Sequence, residues 1–202
     1  MMELNKKEVK RIHYKIYLIF FKSIKINQNN LETIKRKAIF LQRQGKFEEC
    51  LKLFNKAIEI NPNDFEIFNA KGAILCRLRR FAEAIPCFDK SLENNPNNLT
   101  IIKNKSNALL ESRRHKEAIQ CLDKLIEAKP DDLELLNDKA MSLYSLKKYE
   151  EAIKFFNKSI EIKPNNLNAL KYKFEILFEL TKYEEAIQCL DKIIEIQPND
   201  AI

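Results

Sequence analysis

A chain of 202 residues with 45% hydrophobic and 32% charged side chains is too apolar for a disordered polymer and rich enough to bury a core. Its two glycines, Gly45 and Gly72, and its six prolines exclude a sheet protein built on tight turns and a glycine-rich phosphate loop. The net charge of +7 is graded from +5 over residues 1–30 to −3 over residues 167–200, so only the head approaches the concentrated basic face that nucleic-acid binding needs.

The head holds the longest apolar run, from Ile16 to Phe21, bracketed by Lys15 and Lys22. It is too short to cross a bilayer, and no small-residue cleavage site follows it, so it reads as core rather than as a targeting segment. Beyond it the chain is periodic. Pro62, Pro96, Pro130, Pro164 and Pro198 each fall 34 residues after the last. With proline at position 32, the blocks 31–64, 65–98, 99–132, 133–166 and 167–200 align without a gap.

Within each block two helices are predicted. Asn30, Asp64, Asn98, Asp132 and Asn166 precede the five first helices as N-caps, and Asp200 closes the series. Positions 1, 4, 8 and 11, as in Leu133, Leu136, Ala140 and Leu143, form one apolar face. Position 17 is Phe47, Phe81, His115, Tyr149 or Tyr183. Position 19 is always Glu, which suits the first turn of a second helix. Positions 20, 21, 24 and 28 give that helix its apolar face, as in Ala152, Ile153, Phe156 and Ile160. Alanine or Cys50 at position 20 permits close approach, and the proline at position 32 ends the helix.

These columns resemble the tetratricopeptide repeat, a 34-residue helix–turn–helix unit, over 170 of the 202 residues. "Phe68…Gly72…Leu75…Phe81…Ala84…Phe88…Ser91…Pro96" carries the resemblance closely, as does its counterpart from Leu136 to Pro164. The resemblance implies an all-α, right-handed superhelical solenoid. Residues 1–30 read as a degenerate repeat or capping helix: Phe20, Ser23 and Ile24 fall on the register of Phe54, Ala57 and Ile58.

Departures from the pattern carry expectations too. Lys37, Lys71, Lys105, Lys139 and Lys173 occupy an ordinarily apolar position 7 and should pack their stems while the ammonium reaches out. Phe174 replaces a small residue at position 8 and should splay the last helix pair. Leu125 and Ile193 at position 27 offset the smaller Leu122 and Leu190 at position 24. Pro86 inside a second helix should cost one hydrogen bond.

No chemistry stands apart from the repeat. Cys50, Cys76, Cys87, Cys121 and Cys189 are odd in number and lack a CxxC pair, so they read as free thiols in a reducing, cytoplasmic setting. Cys87, Cys121 and Cys189 share position 23 of separate repeats, about 10 Å or more apart, and could not share one metal. His115 fills an aromatic slot, and His13 has the same register in the head. Lys at position 26 and Glu at position 29 recur as a solvated i,i+3 ladder. No catalysis, cofactor, metal or membrane association is expected.

The family resemblance places function on the concave face, at positions 2, 5, 6, 9, 12 and 13. There Lys35, Arg36, Arg43, Arg77 and Lys103 form a basic end, and Met141, Tyr144, Tyr172 and Phe178 an aromatic end, with Leu110 between. The expected function is a protein–protein interaction scaffold that holds a peptide or partner segment. Alternatives are a repeat arm of a larger enzyme, such as a glycosyltransferase, and weak RNA binding by the basic head. The first lacks asparagine at position 6, which is Arg36, Ala70, Asn104, Asp138 and Tyr172. The family's carboxylate clamp for acidic C-terminal tails begins with Lys103 and Asn107 but fails at Asp138, Asn168 and Tyr172, so such tails should bind poorly. The last repeat has no polar closing helix after it. Apolar surface near Phe174, Ile176 or Leu180 is expected there, with head-to-tail self-association or a C-terminal continuation.

Overall fold

The computed structural model describes residues 31–198; the capping-helix reading of 1–30, His13, Asn30 and Asp200 lie outside them. The described residues form ten α-helices and no strand. In chain order they are α1 (Leu31–Arg43), α2 (Phe47–Ile60), α3 (Phe65–Arg77), α4 (Phe81–Leu92), α5 (Leu99–Glu111), α6 (His115–Ala128), α7 (Leu133–Ser145), α8 (Tyr149–Ile162), α9 (Leu167–Glu179) and α10 (Tyr183–Ile196). Each helix packs on its sequence neighbours, which makes an all-α solenoid. No helix among the described residues is long and apolar enough to cross a membrane.

Local chemistry starts and stops the helices. The side chains of Asp64, Asn98, Asp132 and Asn166 accept first-turn backbone N–H groups of α3, α5, α7 and α9. The second helices start differently, behind Lys46, Arg80, Arg114, Lys148 and Lys182, with no side-chain cap. In three of them the cation instead reaches the position-19 glutamate closely: Arg80–Glu83 at 2.7 Å, Arg114–Glu117 at 2.6 Å, Lys148–Glu151 at 2.9 Å. These exposed pairs add little stability. Pro86 sits within α4, which runs on to Leu92.

Between the two helices of each repeat the chain reverses through a left-handed residue at position 15. Gly45 takes it at φ 73°, but Arg79, Arg113, Lys147 and Thr181 take it at 57–58°. The N–H of the following residue bonds back to the carbonyl at position 11, as Arg80 to Leu75 at 2.9 Å and Lys148 to Leu143 at 2.9 Å. This bridge closes the first helix and aims the second back along it.

The core runs along the stack. Position 20 is buried throughout, from Cys50 to Ala186, and Phe54, Phe88, Leu122 and Phe156 at position 24 are sealed. Leu122 and Leu125 are both buried in the third repeat, so the volume exchange between positions 24 and 27 occurs as expected there. The position-7 lysines are half-buried. Lys105 reaches Asp89 and Lys139 reaches Asp123, both at 2.5 Å, tying each first helix to the second helix before it. The i,i+3 ladder forms at Lys90–Glu93, 2.6 Å, whereas Lys158 turns to the carbonyl of Pro130 and to Asp131.

All five thiols are free, and all but the half-buried Cys76 are buried. Burial pushes each of them up, Cys50 to about 11, so the thiolate is disfavoured.

At the last repeat the structure corrects one expectation. Ile176 is fully buried, and Phe174 packs beside Leu177, Ala186 and Cys189. The exposed apolar face belongs to α10 instead: Ile187 is 56% exposed, with Tyr183, Leu190 and Ile194 beside it. In inner repeats the corresponding face of the second helix lies under the next repeat's first helix, so its exposure follows from its place in the stack.

Candidate functional site

The groove residues divide into those held by ion pairs and those left open. Lys35 pairs with Asp64, the N-cap of α3. Arg36 pairs with Glu32 at 3.1 Å, and Lys103 with Glu134 at 2.8 Å. Acids one turn or one repeat away thus meet these three cations. Arg43 and Arg77 are exposed, and the Arg77 guanidinium lies 6.0 Å over the Phe47 ring. Leu110 is half-buried against the core.

Beside Lys103 a cleft of about 370 Å³ opens, lined among others by Asn104, Leu125, Lys129 and Asp132. Asp138, at position 6 of α7, is half-buried nearby. Burial first, and then the Glu134 carboxylate, raise its carboxyl from 3.8 to about 6, with Lys103 opposing. Between these values the folded chain holds the proton more tightly than the unfolded one. Asp138 therefore favours folding most below its unfolded value, and that favour is lost as pH rises through about 6. The neutral isostere Asp138→Asn should raise stability by ~1–2 kcal/mol at neutral pH, after allowance for solvent screening, and by almost nothing near pH 4. Urea unfolding across that range checks this; a gain independent of pH would refute it.

A polar knot stiffens the wall beyond. Asn137 Oδ1 accepts from Ser159 Oγ at 2.9 Å, and Asn166 Nδ2 donates to Ser159 Oγ at 2.8 Å, joining α7, α8 and the start of α9. The equivalent trio in the second repeat is Asn69, Ser91 and Asn98. There Ser91 donates to the Phe65 carbonyl, and Asn69 Oδ1 is left buried without a partner.

The aromatic end is a connected set of rings. Tyr172 stacks on the sealed Phe156 at 5.7 Å and an 8° interplanar angle, and meets Tyr144 at 5.5 Å. Tyr144 in turn meets Tyr149 at 5.9 Å. Phe178, 58% exposed, packs instead on Phe174 and Tyr183. Among the described residues these ring contacts make two groups, so the row of Tyr144 and Phe178 is shared in register rather than in contact. Met141 is 40% exposed on the same side.

The sequence reasoning passed over two further groove residues. The Tyr144 hydroxyl donates to Glu175 at 3.2 Å, and the Tyr149 hydroxyl lies 3.5 Å from Glu179. Burial and these carboxylates hold both phenols above their usual range. The signal was available, since Glu175 and Glu179 stand at positions 9 and 13 of the fifth block. His115 occupies its aromatic slot half-buried, with Nδ1 unpartnered.

Family models described as tetratricopeptide repeat match residues 32–64, 53–85 and 77–140. A model described as anaphase-promoting complex, cyclosome, subunit 3 matches residues 111–193. No curated protein matches the sequence. Among solved structures, the fold is similar to YrrB, a TPR protein with an unusual peptide-binding site, at 23% identity and TM-score 0.74, over 89% of this chain and 93% of that one. It is also similar to MamA 41-end from Desulfovibrio magneticus RS-1, at 20% identity and TM-score 0.70, over 85% of this chain and 97% of that one. The 34-residue period, the paired helices and the matching repeat models agree: the chain belongs to the tetratricopeptide-repeat family.

Proposed function

We propose that the chain is an interaction scaffold that binds a peptide or partner segment along its concave face. The carrying observation is that Met141 and Phe178, both exposed, share the groove register of the ring set of Tyr144 and Tyr172. Exposed aromatic and Met side chains grouped on one face are typical of binding hot spots. The fold likeness to YrrB, a TPR protein with an unusual peptide-binding site, supports the reading. The salt-bridged Lys103 and the half-buried Asp138 favour ligands other than acidic C-terminal tails.

Peptides selected from a displayed library on the full chain, then measured by fluorescence anisotropy, supply the test. Tyr144→Ala with Phe178→Ala should weaken binding by about 2 kcal/mol or more, about thirtyfold, with the helical content intact. Arg43→Ala with Arg77→Ala should mainly flatten the salt dependence, because open rim charges act on the association rate. Selected peptides that bind both double variants like the parent would move the site off the concave face.

A further inference from the structure

The aromatic end of the groove has an internal counterpart that shows what it lacks. In the second repeat, the ring at position 17 is Phe81, and the residue at position 13 of the following repeat is Glu111. Arg79, though largely exposed, lies against both: its guanidinium is 5.6 Å from the Phe81 ring centre, and its Nη2 is 3.7 Å from Glu111. Ring face and carboxylate together hold one cation. In the fourth repeat the same two positions are Tyr149 and Glu179, at 3.5 Å. The resemblance is extended by Tyr144, 5.9 Å from Tyr149, and by Glu175, which Tyr144 contacts at 3.2 Å.

The cation is what differs. Lys147 stands where Arg79 does, but among the described residues it makes no ring contact and no ion pair, and neither Glu175 nor Glu179 is paired with a cation. Lys171, one turn before Glu175 on α9, is exposed. Each carboxylate accepts one phenol hydrogen and retains lone pairs for a second donor.

We propose that this end of the groove takes a cationic side chain, Lys or Arg, of the bound segment, laid against the Tyr144 and Tyr149 ring pair and received by the remaining lone pairs of the Glu175 and Glu179 carboxylates. The proposal rests on the groove reading above and adds polarity to it. The ligand's basic residue sits at the fourth and fifth repeats, and its acidic residues face Arg43 and Arg77 at the first and second.

The test uses the full chain with isotope-labelled tyrosine rings, titrated with N-acetyl-arginine amide, N-acetyl-lysine amide and the neutral isostere N-acetyl-citrulline amide. The two cations should shift the Tyr144 and Tyr149 ring signals saturably, and citrulline should bind about fivefold more weakly or worse. Glu175→Gln with Glu179→Gln should abolish the response, while Lys147→Ala should keep or tighten it. Equal binding of citrulline and arginine, or an undiminished response in the double Gln variant, overturns the cation site. A selected peptide that loses binding in Tyr144→Ala with Phe178→Ala, but not in the double Gln variant, overturns this site and leaves the groove reading standing. Ring shifts with arginine and no peptide binding would overturn the groove reading alone.

Discussion

Replacing Phe156 by Ala should cost the fold about 3–5 kcal/mol, the usual range for emptying a sealed aromatic site. Phe156 is 1% exposed and is packed among Ala140, Leu143, Ala169 and Ile176, so it joins α8 to the helices on both sides. Ala140 and Ala169 beside it are too short to fill the cavity, which could close fully only by moving whole helices. The loss should also be local. Each repeat touches only its neighbours, so hydrogen exchange should accelerate over α7 to α9 before it does so in α1 to α4. The effect reaches the groove, because the Phe156 ring backs Tyr172 in a parallel stack at 5.7 Å. Phe156→Leu, which keeps much of the apolar volume, should cost less, though Ser159 stands where Leu125 offsets Leu122 in the third repeat. Urea unfolding with exchange mapping checks both variants. A loss under about 1 kcal/mol for Phe156→Ala, or exchange accelerating evenly along the chain, would refute the account.

The second large effect runs in the opposite direction. Arg113, Lys147 and Thr181 hold left-handed backbone at φ 57–58°, where a side chain costs roughly 1–2 kcal/mol and glycine costs nothing sterically. Thr181 is the most strained of them, being branched at Cβ. Glycine returns part of the gain through the greater freedom of the unfolded chain, so each replacement should net about 0.5–1 kcal/mol. The combined variant Arg113→Gly, Lys147→Gly and Thr181→Gly should therefore gain about 2 kcal/mol, with Thr181→Gly giving the largest share. Arg79 is left in place because its guanidinium also engages Phe81 and Glu111. Gly45→Ala is the mirror control: nothing crowds a Cβ there, so its expected destabilisation comes from the φ of 73° alone. Thermal and urea unfolding read these changes. If Thr181→Gly lowers stability, backbone strain at position 15 is not what sets these turns.

What the sequence determined by itself is whatever repeats with the 34-residue period. Helix faces, caps and the buried alanines of position 20 depend on neighbours within one turn or one repeat, and those neighbours recur in the same order five times. The side chains at Asp64, Asn98, Asp132 and Asn166 act as caps because an acceptor just before a helix meets the same free N–H groups wherever it stands. Position 15 was written in the sequence only once, as Gly45; at Arg79, Arg113, Lys147 and Thr181 the packing of two helices imposes a conformation that the residue type disfavours. The site depended more heavily on the tertiary structure. Lys35 and Lys103 both stand in groove register, yet Asp64 and Glu134 engage them. Asp138 becomes a partly buried acid, and Glu175 and Glu179 come against Tyr144 and Tyr149. Those outcomes depend on the step from one repeat to the next, which brings together residues about 30 positions apart. A one-dimensional period says which residues share a face, but it does not say which charge lies within reach of which ring.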